Sequence, residues 1–377
     1  MKVQVNRVEL LTLLEKLKPA VPSRSTLPIC TSVLLKAELF SRKLTVTANN
    51  LEFALVGECK AKVPDPGGMC VEYTKLLGFL KATKGELFTI EAKVQSEASR
   101  PSLSSAVFTS NGSSLTMKVD VPADFPPVPE VQGEKVLAYN LAEALGKVSY
   151  AIATEETRPV LCGVCFRPEE KVVKLAASDG FRLAVTPLKV KGELVEMIIP
   201  KTVVCAIKKL MVGNVTVTQH KDKASFEQKG LKIVCSLVIG TFPKYEQLIP
   251  TKTDHAVTVG RDELLDAVKT ALSIAGNDRE PIVRLRTKGK NLLVSHIEGD
   301  DKCEAKIPAR GTVKIALNSK YIHELLRQAD ETVTIRTSDG NSPLVVKIQG
   351  AIHLLMPVMC QWEDDKPKVE VASVEQF

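Results

Sequence analysis

The sequence predicts an α+β fold of three similar domains, each carrying two helices and antiparallel sheets, and three observations lead to it. One helix start recurs, in NRVELLTLL from Asn6, NLAEALGKV from Asn140 and GRDELLDAV from Gly260. A second helical segment follows each: YTKLLGFLKAT from Tyr73, PKTVVCAIKKLM from Pro200 and NSKYIHELLRQAD from Asn318. Between them lie short alternating or apolar runs bounded by turn signals. Asn6 to Asn140 is 134 positions and Asn140 to Gly260 is 120, so the chain is triplicated. Such a period is a repeated domain, because solenoid units run about 20 to 50 residues.

The first helix of each domain opens on a residue suited to an N-cap, with Glu9, Glu143 or Glu263 three positions on. That carboxylate can reach back to the cap N–H and meets the positive helix end. Leu10, Leu13, Leu14 and Leu17 then recur at helical spacing, which marks an amphipathic helix. The second helices carry Thr74, Pro200 and Asn318 at their starts. SVLLKAEL, KLTVTANN, GVCFRP, VVKLAASDG, FRLAVTP, VTVTQH, LKIVCSLV, NLLVSHIE, TVTIRT and LVVKIQG read as strands. The domains also end alike, in VPADFPPVP, IGTFPKYEQLIP and IHLLMP. Boundaries are expected at 1–130, 131–252 and 253–360, with 361–377 a mobile tail rich in charge.

Composition narrows the function. No apolar run approaches the roughly 20 residues of a membrane helix, and MKVQVNRVELL lacks the apolar core of a secretory signal, so an intracellular, cytoplasmic protein is expected. The nine cysteines are scattered as free thiols, and the lone CxxC of Cys162 and Cys165 lies in a strand pattern rather than a metal motif. The net charge of +7 is modest and by itself fits either a polyanionic partner or an ordinary solvated surface. GxxxxGK[ST], HExxH and GxSxG are all missing, so the expectation is no enzyme, no catalytic residue, no metal and no cofactor. SDGFRLAV, from Ser178, reads as a turn into a strand, and its Ser, Asp and Arg leave open whether they line a site or build the turn.

RSTLPICTSVLL, SDGFRLAV, FPKYEQLIP and LLMP, in this order over residues 1–360, make the chain similar to the bacterial sliding clamps, the β subunits of DNA polymerase III. The resemblance implies a head-to-tail homodimeric ring that encircles duplex DNA and tethers a replicative polymerase. It also implies a partner-peptide pocket formed by Arg158, Leu161, Ser178, Gly180, Phe181, Arg182, Leu183, Pro243, Leu248, Asn318, Tyr321, Leu354, Leu355, Met356 and Pro357. The partners implied are the polymerase III α subunit, the clamp-loader δ subunit and other clamp-binding-motif proteins. DNA contact is implied for Arg24, Lys147, Lys201 and Arg279. The implied dimer interface sets Lys75 and Leu115 of one chain against Ile274, Glu298, Asp300, Asp301 and Glu304 of another. Phe181 departs from the polar residue common at its place in the family. The rival reading is a clamp-like monomeric adaptor or decoy that binds partner peptides without encircling DNA.

Overall fold

A computed structural model describes residues 1–377 except 98–99, 156, 171, 277–280, 361 and 363–377, and of residues 93–104 the backbone alone where described. The chain divides into two compact units, Met1–Ala176 with Pro187–Phe242, and Ala177–Thr186 with Pro243–Phe377. The division falls inside the strands Val173–Ser178 and Arg182–Leu188.

The triplication is visible element by element. A strand leads into the first helix at Lys2–Asn6, Lys135–Ala138 and His255–Gly260, and the helices are Arg7–Leu17, Leu141–Val148 and Arg261–Ala271. The second helices are Tyr73–Ala82, Lys201–Leu210 and Ser319–Leu326, and three strands follow each. The last hairpin of each repeat turns on two residues of positive φ: Asn111 and Gly112, Lys229 and Gly230, Gln349 and Gly350. That is the turn whose twist matches right-handed strands, and glycine bears its second position without strain. Arg7 and Arg261 repeat a further device, donating to Leu80 O at 2.7 Å and to Ala329 O at 3.2 Å near the end of the second helix of their own repeat.

The helix starts separate by cap chemistry. Asn6 accepts the N–H groups of Val8 and Glu9, as its position predicts. Asn140 does not: it adopts a left-handed conformation and its side chain caps nothing. At Gly260 the Glu263 carboxylate occupies the space a Cβ would need, so only glycine allows the acid to fold back over the helix start. Thr74 lies inside its helix, after Glu72 at the cap position.

Unit one holds a long sheet in which Lys135–Ala138, Val215–His220, Lys223–Gln228, Leu231–Ser236, Phe53–Asp65, Lys2–Asn6, Leu87–Glu97, Arg100–Ser110 and Ser113–Met117 follow one another. The second repeat thus joins the first through Leu231–Ser236, antiparallel to Phe53–Asp65 with Ile233 opposite Leu55. Leu10, Leu14, Leu17, Leu76 and Leu80 are fully buried, each contributing about 2 kcal/mol of apolar burial. Burial pushes the thiols of Cys59, Cys70 and Cys235 up to about 12, which makes them inert packing groups.

Unit two repeats the join. Ala351–Leu355 pairs with the 182–185 segment, then with Leu344–Ile348, and the sheet continues through Thr332–Thr337 and His255–Gly260. A second sheet runs Asp301–Pro308, Asn291–Glu298, Ile282–Lys288, Lys314–Asn318. Val257, Leu264, Val268, Leu285, Val294, Ile315, Leu325 and Ile335 are among the core residues that fill this unit.

His353 lies within that join, 1% exposed, and burial pushes its imidazole down to about 4. The folded chain therefore keeps His353 neutral while the unfolded chain protonates it near 6.5, so stability is full above that pH and is lost as pH falls toward 4. The expected loss is about 3 kcal/mol over this window. Thermal melts of wild type and His353→Leu between pH 7 and 4 check it: the variant should lose that part of the acid slope.

Candidate functional site

The segment 178–185 is a turn locked by its own side chains. Asp179 Oδ1 accepts the backbone N–H of Phe181 and of Arg182, both at 3.0 Å. Ser178 Oγ donates to Arg182 O at 2.7 Å and accepts from Gly180 N at 3.1 Å, while Gly180 sits at φ +96. Ser178 and Asp179 are thereby engaged in turn building, and Asn50 repeats the Asp179 pattern in the first domain by accepting from Glu52 N and Phe53 N.

Arg182 fastens the turn to the helix Ser319–Leu326. Its Nε donates to Asp179 Oδ2 at 2.9 Å, its Nη1 bonds the Glu324 carboxylate, and its guanidinium lies 4.6 Å from the centre of the Tyr321 ring. The side chain is buried, so both carboxylates depend on it for compensation. Phe181 stacks on Tyr321 with centroids 6.4 Å apart and planes at 21°, yet stays 62% exposed. An apolar ring is thus held in place and presented to solvent, the state that binds without a large ordering cost.

The segment after the last strand is held beside it. Met356 N donates to Phe181 O at 2.8 Å, and Val358 N to Ala316 O at 2.8 Å, which leaves Met356 39% exposed and Pro357 half-buried. Phe181, Arg182 and Tyr321 are thus in contact, and Met356 is held beside them by its hydrogen bond to the Phe181 backbone. Leu183, Leu354 and Leu355 are buried in the sheet join, Leu183 opposite Leu354 and Arg182 opposite Leu355. Asn318 is buried and spends its side-chain oxygen capping its helix through Lys320 N at 3.0 Å. Pro243 and Leu248 are exposed in the same unit, Leu248 closing the short helix Tyr245–Leu248. Arg158 and Leu161 belong to unit one, the first exposed and the second buried. Sequence reading missed Glu324; its signal was a lone arginine in an apolar strand, which needs a carboxylate from somewhere.

Two strand edges form the second feature. Among the described residues Ser113–Met117 pairs only with Arg100–Ser110, and Asp301–Pro308 pairs only with Asn291–Glu298. Leu115 is half-buried on the first edge, while Asp301 and Glu304 are exposed on the second and Glu298 and Asp300 in the turn before it. Lys75 is exposed and pairs with Glu72 at 2.5 Å, and Ile274 is half-buried.

Of the basic residues, Arg24 is exposed in a loop, Lys147 pairs with Glu143 at 3.3 Å, and Lys201 is half-buried at a helix start; Arg279 lies outside the described residues. Lys208 and Lys209 are exposed in the last turn of Lys201–Leu210, and Lys269 pairs with Asp266 at 3.1 Å. Among the described residues no group of His, Cys, Asp and Glu could hold a metal, and no helix is long and apolar enough to cross a membrane.

Comparison with known proteins places these features in a family. The family described as DNA polymerase III beta subunit, N-terminal domain, matches residues 1–129, and its central domain matches residues 135–244. The beta sliding clamp of Chlamydia pneumoniae is 26% identical over 371 residues, covering 95% of this chain and 99% of that one. The DNA polymerase sliding clamp of Bacillus subtilis superimposes with a TM-score of 0.86 at 18% identity, covering 96% and 100% of the two chains. The DNA polymerase III subunit beta of Pseudomonas aeruginosa gives a TM-score of 0.86 at 24% identity over the same shares.

Proposed function

The chain belongs to the DNA polymerase III beta subunit family, and on that premise we propose that it closes head to tail with a second copy into a ring around duplex DNA. It is a DNA sliding clamp, a processivity factor with no catalytic activity of its own. The observation that carries the ring is the pair of unpaired edges. Inside the chain, the last strand of the second repeat pairs with Phe53–Asp65 of the first, and the last strand of the third pairs with the 182–185 segment of the second. The last strand of the first repeat, Ser113–Met117, and the equivalent acceptor of the third, Asp301–Pro308, lack such a partner among the described residues. A second copy supplies each with the other, and Lys75 and Leu115 then face the acidic turn at Glu298, Asp300, Asp301 and Glu304, near Ile274.

A ring holds DNA by topology, so its lining needs positive charge and no base readout. Arg24, Lys147, Lys201 and Arg279 are proposed for that lining. The Phe181, Tyr321 and Met356 surface, with Leu248, Pro243, Pro357 and the buried Leu183, Leu354 and Leu355, is proposed to take short apolar peptides of the polymerase α subunit, the clamp-loader δ subunit and other partners. The proposed domain boundaries remain 1–130, 131–252 and 253–360, and the proposed location is the cytoplasm.

Sedimentation from nanomolar to micromolar concentration, with retention on nicked circular against linearised DNA after a loader has acted, tests the ring. A dimer kept on circles and lost from linear ends is the expected result. A persistent monomer that still binds partner peptides would replace it with the adaptor reading.

A further inference from the structure

The four-stranded sheet of unit two turns Val283, Leu285, Leu292 and Val294 to the core, so the alternate residues of the same strands face the other way. On that side lies a cleft of about 330 Å³ whose lining includes Arg284, Arg286, Leu293, Ser295, Ile297 and Trp362. The strand register sets Arg284 opposite Ser295, and Arg286 opposite Leu293 on one side and Lys314 on the other. Two arginines on one strand face, with a lysine directly across from one of them, repel each other, and an anion between them relieves it. Arg284 carries the sharper need. Its Nε and Nη1 are buried and make no hydrogen bond among the described residues, so much of its hydration is lost before a ligand arrives. Lys302 and Glu304, at the border of the cleft, pair with each other at 3.1 Å and are left out of the site.

Trp362 gives the cleft a second kind of surface. Its ring lies 4.9 Å from Lys314 Nζ, which holds it beside Arg286, the residue opposite Lys314. Leu293 and Ile297, both half-buried, add an apolar floor. We propose that the cleft binds a nucleoside monophosphate, its phosphate on Arg284, Arg286 and the Ser295 hydroxyl and its base on the Trp362 ring. A guanidinium matches phosphate oxygens with parallel hydrogen bonds, and every base offers a flat face to an aromatic ring. The volume stands at the small end of the roughly 300 to 1,000 Å³ of ligand pockets, which suits one nucleotide and not a strand. The site draws no contact from the edge strand Asp301–Pro308, so it holds with or without a second copy.

Fluorescence of Trp362, the single tryptophan of the chain, during titration of the full chain with adenosine monophosphate tests the site. Quenching should saturate with a dissociation constant at or below about 1 mM. Inorganic phosphate and adenosine, each offering half of what the cleft recognises, should bind at least about tenfold more weakly. Arg284→Gln should weaken the nucleotide at least about tenfold by the same readout, and Trp362→Ala should reduce its affinity to that of phosphate, read by calorimetry. The absence of saturable quenching, phosphate that binds as tightly as the nucleotide, or binding that both substitutions leave unchanged would overturn the proposal. Trp362 belongs to no helix or strand, so its truncation keeps the test open even if Arg284→Gln fails to fold.

Discussion

Thr116→Pro should leave the chain folded and raise its dimer dissociation constant at least about a hundredfold, the effect of a ladder bond lost and a ring pressed into the partner backbone. The direction of each N–H on the edge strand follows from its turn. Asn111 and Gly112 form a two-residue turn, so Ser110 and Ser113 exchange hydrogen bonds. Alternation then gives Leu115 and Phe108 an exchanged pair and leaves Thr116, opposite Val107, with its N–H pointing away from the chain's own ladder. Proline at Thr116 removes only the outward donor, whereas proline at Leu115 would break the fold. On the acceptor edge, Glu304 opposite Ser295 is outward by the same count, so Glu304→Pro should act alike. Sedimentation reads both, and an unchanged dimer would remove the edge-to-edge interface.

Phe181→Ala should weaken partner-peptide binding about thirtyfold while leaving the melting temperature nearly unmoved. The ring is more than half exposed, so little core is lost, but a held aromatic at the centre of a peptide surface is worth about 2 kcal/mol on truncation. Arg182→Ala separates binding from stability. It leaves Asp179 and Glu324 together without their cation and should lower stability by about 3 kcal/mol. Peptide titration calorimetry beside thermal melts distinguishes the two; a Phe181→Ala chain that binds as wild type would move the peptide site elsewhere.

Helices are legible in this sequence because a cap and a 3.6-residue apolar spacing are local signals, and all six lie where those signals place them. The caps are less legible: Asn6 and Asn140 look alike, yet only Asn6 has the extended backbone that points its oxygen at the helix. The ten apolar runs read as strands are strands, whereas Lys2–Asn6 hides in front of a helix cap and Phe53–Asp65 carries exposed Lys60 and Lys62 through its second half. At the site, SDG signals its turn plainly. The partner of Arg182 does not show, because Glu324 lies 142 positions away and only the fold brings it near. The strand register that leaves Ser113–Met117 and Asp301–Pro308 with one neighbouring strand each among the described residues is likewise a long-range property, written in no short stretch.

Those edges have a consequence for the chain before it meets its partner. An unpaired strand is a template for any other strand, and in a crowded cell the wrong neighbour arrives more often than the right one. The acceptor edge answers with charge, since Asp301, Lys302, Glu304 and Lys306 are exposed along it, and the donor edge is five residues long with Ser113, Ser114 and Thr116 outward. Both are poor nuclei for fibrils, and the charged edge also refuses like-charged intruders. In the proposed ring the same few side chains that guard the free edges are those that meet the second copy.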